Sequence, residues 1–423
     1  MYITCIVYAL CLALCVWGGK FSGFGGGRFH EDSSSLEATK GLRGLAALGV
    51  ILHHISQEAA FQQAQGEGFK GIIPFFTNIG YLFVAVFFFW SGFGLFKSLE
   101  TKEDYLDGFM SRRVVKVLVI PFYVNVLLYA AFHLVMRTKL HPVQWLTNFL
   151  GLTLMNEYAW YPIVAGLLYA AFYVIFKHVK DRRLCFALMA LIVLAQGLFF
   201  CVNGHFAWWA GAKNWWLSPS GWARAKWWMQ FKVFWFSGEW WVNSSPAFCA
   251  GLLFARFERQ IRSFLTRRYW PKLLALLALM AASVVLSSYG QARFGYWTEF
   301  SGKGPGITEK LASYLLQVPS SLCLVALLFA VMLKYYASNP VTRFFGSLSL
   351  ETYMMNLLAI MAFRFLLYTD RLGGQPLPVY RTAYWNLALY AAAVLAATIL
   401  LALAYRRLNK LAVSLFRKSP IKQ

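Results

Sequence analysis

Between Lys40 and Ser56 the chain reads KGLRGLAALGVILHHIS, an apolar run that nevertheless holds Arg43, His53 and His54. Placing a charged or polar side chain in apolar surroundings costs free energy, so an ionisable residue within a span is read first as functional. A histidine, with an ordinary pKa of about 6.5, takes or gives a proton near neutrality. An arginine holds phosphate through paired, charge-assisted hydrogen bonds. On an α-helix, residues eleven apart differ by about 20° in direction and lie roughly 16 Å apart along the axis. Arg43 and His54 therefore share a face, whereas His53 points about 100° away and reads as structural. Gly44 and Gly49 leave that helix thin, so another helix or a ligand can approach closely. The plainer reading is a histidine bonded to a neighbouring helix and an arginine reaching to lipid headgroups.

The elements that must position these groups follow from composition. The 423 residues are 59% hydrophobic and 13% charged, against about 25% charged in soluble domains. That composition indicates an all-α, polytopic membrane protein. The net charge of +23 is accounted for by lysines and arginines flanking helices on the cytoplasmic side, where they meet anionic lipid, and no nucleic acid is expected. Apolar runs that approach the roughly 20 residues of a span occur at 2–19, 41–56, 78–96, 114–136, 159–176, 184–203, 244–257, 273–289, 311–335, 347–368 and 383–405. They predict about ten to eleven transmembrane helices in one bundle.

The first run has no basic residue before it and several after, the reverse of a secretory signal, so it is read as a retained helix with its N-terminus outside. Threading that orientation through the chain puts 27 of the 40 lysines and arginines in inner segments, as the positive-inside rule requires. Between His205 and Trp241 lie ten of the 17 tryptophans, which suit an interfacial belt or a platform on which a sugar stacks. The glycines from Gly23 to Gly27 read as a flexible loop. The seven cysteines form no C-x-x-C pair, and neither a zinc-binding H-E-x-x-H nor a P-loop is present, so no metal is expected.

The run from Arg43 to His54 closely resembles the first-helix signature of the acyltransferase 3 family, in which an arginine-glycine pair precedes a histidine at this distance; His54 is the residue in register. Further matches follow in order. Ser91, Gly92 and Phe93 resemble the family's serine-glycine-phenylalanine element. Arg113 and Lys116, ahead of Pro121, are similar to its pair of basic residues three apart, with lysine in place of the second arginine. Trp160, Tyr161 and Tyr169 resemble a tryptophan-led helix start, although Ala165 stands where some members carry glutamate. Gly346, Ser349, Glu351 and Tyr353 are similar to the last motif, and Asn356 replaces the histidine with which many members end it.

The resemblance, over about residues 38–405, implies transfer of an acyl group, usually acetyl from acetyl-CoA, to a hydroxyl of an outward-facing acceptor. It implies Arg43, Arg113 and Lys116 for the donor's phosphates, His54 as general base, and Glu351 to orient that base or bind the acceptor. Glu351 equally suits the dipole at its helix start. Ser91, Trp160, Tyr161, Tyr353 and Asn356 would line the cavity. Residues 1–37 would be an extra helix and loop, 38–405 the family domain and 406–423 a basic cytoplasmic tail, in the plasma or inner membrane. The expected partners are acyl-CoA inside, a glycan or glycolipid of the cell envelope outside, and membrane lipid. The competing readings are a transporter or flippase, which internal repeats would favour and none are visible, and a non-catalytic scaffold. Nothing in the sequence sets the oligomeric state.

Overall fold

The computed structural model describes residues 2–63, 74–208, 242–294, 307–372, 375–378 and 384–418, apart from residues 26, 78 and 139 and with isolated positions at 220 and 223. Every predicted apolar run coincides with a helix: α1 (Tyr2–Val16), α2 (Leu36–Gln63), α3 (Gly80–Thr101), α4 (Met110–Val135), α5 (Trp160–His178), α6 (Arg182–Trp208), α7 (Pro246–Arg256), α8 (Tyr269–Phe294), α9 (Ile307–Met332), then α10 (Pro340–Ser347), α11 (Ser349–Phe363) and α12 (Tyr384–Lys418). Extended structure among the described residues is confined to two short antiparallel pairs, one of them β1 (Gly19–Phe21) with β2 (Tyr335–Ala337). The chain is an all-α membrane protein.

Eight of these helices are long and apolar enough to cross a membrane: α3, α4, α5, α6, α8, α9, α11 with the turn that follows it, and α12. That is fewer than the ten to eleven expected. At 15 and 11 residues, α1 and α7 are too short. With 28 residues, α2 has ample length, about 42 Å, but its own arginine, histidines and glutamates dilute its apolar character.

Two compact units are formed, residues 1–84 with 331–423, and residues 85–330. In the first, α2 and α10 touch backbone to backbone. A methyl group on Gly44 would lie 1.8 Å from the Thr342 carbonyl oxygen, and one on Gly346 would lie 2.1 Å from that of Lys40. Only hydrogen fits at either position, which is the close approach that Gly44 predicted. Asn339 caps α10, its side chain accepting from the Thr342 amide at 2.9 Å. Its Nδ2 also donates to the Leu14 and Trp17 carbonyls at 2.9 and 3.0 Å, tying the last turn of α1 to the start of α10.

The glycine loop after β1 is held rather than free. Lys334 is buried, and its ammonium donates to the carbonyls of Gly23, Gly25 and Arg28 at 3.1, 2.6 and 2.5 Å while lying 4.2 Å from the centre of the Phe29 ring. Glycines let the backbone fold its carbonyls inward around one cation. Lys334→Met should leave those carbonyls without a donor and open the loop, raising the rate of tryptic cleavage after Arg28 about tenfold; an unchanged rate would show that the loop stands without the ammonium.

In the second unit, α3 crosses α7 at Gly92 and Gly251, where added methyl groups would lie 2.2 Å from the Phe248 carbonyl oxygen and 2.0 Å from that of Phe89. The aromatic side chains of Phe88, Phe89, Phe96, Phe109 and Phe172 fill the core around them. The first ten residues of α4 (Met110–Val119) wind as a π-helix. Pro121 has no N–H for the carbonyl four residues back and would crowd it in an α-helix; the wider turn relieves that contact. Sequence pattern gave no sign of it.

Candidate active site

The first unit gathers His54, Tyr353 and Asn356. His54 lies two-thirds of the way along α2 and is 6% exposed, and Asn356 in the second turn of α11 is fully enclosed. The two are hydrogen-bonded, His54 Nδ1 to Asn356 Oδ1, at 2.9 Å. Asn356 Nδ2 donates in turn to Thr398 Oγ1 on α12 at 3.1 Å. Because the amide turns its NH2 toward Thr398, it presents an oxygen to His54. That oxygen can only accept, so Nδ1 carries the hydrogen and Nε2 keeps its lone pair. With the amide in this orientation, Nε2 is the basic imidazole nitrogen. The Tyr353 ring lies 6.3 Å from that of His54, centre to centre.

One turn beyond His54 on the same face, Glu58 pairs with Arg364, in the turn after α11, through Oε1 to Nε at 2.7 Å. Arg364 Nη2 also donates to Glu58 Oε2 at 3.1 Å. The Nη2 contact is the hydrogen bond and the Nε contact a close ion pair outside hydrogen-bond geometry, and together with His54–Asn356 they join α2 to α11 and the turn after it at two successive levels.

His53 is bonded to the backbone of a neighbouring segment. Its Nδ1 donates to the Phe76 carbonyl at 2.7 Å, and its ring lies so close to Gly80 that a Cβ there would overlap it. Arg43 is half-buried one turn beyond Thr39, whose carbonyl accepts from its Nε at 3.4 Å. It remains on the face of α2 that carries His54, roughly 16 Å away. Glu351 is half-buried in the first turn of α11, in the field of Arg406 and Lys410 on α12. The structure therefore places Glu351 with cations, and Asn356 with the histidine.

The remaining predicted residues lie in the second unit. Arg113 and Lys116 are half-buried on the π-helical segment, with the Arg113 guanidinium 5.9 Å from the centre of the Tyr105 ring. Ser91 and Tyr169 are hydrogen-bonded through their hydroxyls. Trp160 and Tyr161 both pack on Phe88, at 6.5 and 5.0 Å between ring centres. Most of the tryptophan-rich stretch 205–241 falls outside the described residues. Among the described residues no cluster of three or more histidines, cysteines or carboxylates is placed to hold a metal.

Thr398 and the Glu58–Arg364 pair are the groups that sequence reasoning missed. A threonine in an apolar helix carries no motif, and the ion pair joins residues 306 positions apart.

Against known proteins, the model of a family described as an acyltransferase domain matches residues 37–407. No curated protein and no solved structure matches the chain.

Proposed function

The chain belongs to the acyltransferase 3 family and is a membrane acyltransferase, and from that premise we propose that it moves an acyl group, acetyl above all, from acyl-CoA on the cytoplasmic side to a hydroxyl of an extracytoplasmic glycan. The observation that carries this reading is the buried His54, oriented by Asn356 on the same helix face as Arg43.

In the step proposed, Nε2 of His54 takes the acceptor's hydroxyl proton as the oxygen attacks the thioester carbonyl. The C–O bond forms, the C–S bond breaks, and the proton passes to the departing thiolate, leaving an ester and CoA. Transfer is direct; Ser91, engaged with Tyr169, is given no nucleophilic role. Arg43 on the first unit, or Arg113 and Lys116 on the second, are proposed to meet the donor's phosphates, each within about two turns of a helix start that the charge distribution puts inside. Fixed cations there suit the phosphates of CoA. Glu351 is proposed to bind the acceptor or to support the base, and Tyr353, whose ring lies 6.3 Å from that of His54, to line the acyl path.

Arg43→Ala should raise the KM for acetyl-CoA about tenfold or more, since a charge-assisted bond to phosphate is worth about 1.5–3 kcal/mol. An unchanged donor KM would remove Arg43 from the donor site. The function itself is tested by comparing envelope glycans from cells with and without the protein. Loss of alkali-labile acyl esters is expected, and identical ester content would count against it.

A further inference from the structure

The helix that precedes the matched family region is built into the unit that holds His54. The family match begins at residue 37, well after α1. Yet Val7, Tyr8, Cys11, Leu14 and Cys15, which share one face of α1, are half-buried, while Ile6, Leu10, Leu12 and Val16 are exposed. The inward face is tied at both ends. At its last turn, beside the Asn339 bonds to the Leu14 and Trp17 carbonyls, the Tyr335 hydroxyl donates to the Cys15 carbonyl. Toward the other end, the Tyr8 hydroxyl accepts from the Phe75 amide at 3.3 Å, and the Tyr8 ring lies 6.4 and 6.3 Å from those of Phe75 and Phe76.

Phe75 and Phe76 belong to a helix of four residues, Pro74–Thr77. A single turn has too few internal bonds to stand by itself, and its first amides lack partners within the helix, so the Tyr8 oxygen serves as its cap. The further contacts of this turn lead to α2. The Phe76 carbonyl accepts from His53 Nδ1 at 2.7 Å, and Thr77 and Ser56 are hydrogen-bonded through their hydroxyls at 2.7 Å. The buried Phe76 ring stacks on Phe83 at 5.9 Å, and Phe83 lies in the space that Gly49 leaves on α2. His53 and His54 are adjacent and point about 100° apart. Each is bonded to a different neighbour, His53 to this turn and His54 to Asn356. A helix held in two directions at one level resists rotation about its axis, and that rotation decides where Nε2 of His54 is aimed.

We propose that Tyr8 is a positioning residue for His54: by capping the Pro74–Thr77 turn it holds the Phe76 carbonyl against His53 and so fixes the rotation of α2. The effect on transfer rests on the function proposed above; the coupling of Tyr8 to α2 does not.

Amide hydrogen exchange of the full-length protein in lipid nanodiscs reads that coupling directly, because it reports local opening. Tyr8→Phe keeps the ring and removes only the oxygen. It should speed exchange in residues 74–77 and in α2 around His53 about fivefold, the usual worth of a helix cap, and leave α11 as it was. Unchanged exchange in α2, or an equal rise throughout α11, would overturn the proposal. In transfer from labelled acetyl-CoA, Tyr8→Phe should lower kcat about fivefold with the KM for acetyl-CoA unchanged, since a small misplacement of a reacting group is felt in the rate. His53→Leu, which breaks the same chain of contacts nearer the base, should lower kcat at least as much, and adding Tyr8→Phe to it should lower kcat no further. A normal kcat for Tyr8→Phe, or two effects that multiply, would also overturn it. Faster exchange in Tyr8→Phe, where the wild type transfers no acetate, keeps the coupling and removes the acyltransfer step, whereas wild-type transfer with unchanged exchange in the variant removes the coupling alone.

Discussion

His54→Ala should lower acyl transfer from labelled acetyl-CoA by about 10²- to 10⁴-fold, the usual contribution of a positioned general base. The residue is buried, so loss of activity through misfolding has to be separated from loss of the proton acceptor. His54→Gln does this: a glutamine can still donate to Asn356 Oδ1, keeping the contact between α2 and α11, but it has no basic nitrogen. Both variants should bind acetyl-CoA as the wild type does and both should fail in transfer. A glutamine variant of near-normal rate would mean that His54 is structural and that the proton goes elsewhere.

The second large effect is expected at Asn356. Asn356→Leu removes the acceptor that holds the hydrogen on Nδ1, so the imidazole is free to adopt the tautomer in which Nε2 is protonated and useless as a base. The cost should appear as a fall in kcat of about tenfold or more, the worth of a good buried hydrogen bond, with the KM for acetyl-CoA unchanged. Thr398→Val keeps the shape but not the oxygen that accepts from Asn356 Nδ2, and should give a smaller fall of the same kind. Both residues act through His54, so the split between kcat and KM is the informative readout. A leucine variant that changed donor KM and kcat together, or neither, would show that Asn356 serves packing instead.

How much of this could be read from sequence depends on how far apart the interacting groups lie. Arg43 and His54 sit on one helix, so helical geometry alone put them on one face. Gly44 carried a visible reason for a close crossing, and the helix it meets, α10, proved to touch it backbone to backbone. The ordered run of short motifs placed the family resemblance at about 38–405, close to the matched range of 37–407.

Contacts between distant segments were not legible. Asn356 stood out only as a departure from histidine. That it bonds to His54 requires α2 against α11, and its second bond reaches Thr398, 42 residues further on. Lys334 counted as one more inner flanking charge, because its burial depends on a glycine loop more than 300 positions earlier. The burial of Ser313, Gln317, Ser320 and Ser321 on α9 was concealed for a different reason: these residues barely lower the hydropathy of a span that is otherwise strongly apolar.

The central claim is transfer of an acyl group by a membrane-embedded base. Its most direct test uses purified protein reconstituted into vesicles, with labelled acetyl-CoA on the side of Arg43 and envelope glycan on the other. Label should appear in the glycan as an alkali-labile ester, matched mole for mole by free CoA thiol, and His54→Gln should abolish both. Glycan that crosses the membrane unlabelled while acetyl-CoA stays intact would contradict the account and make the protein a transporter.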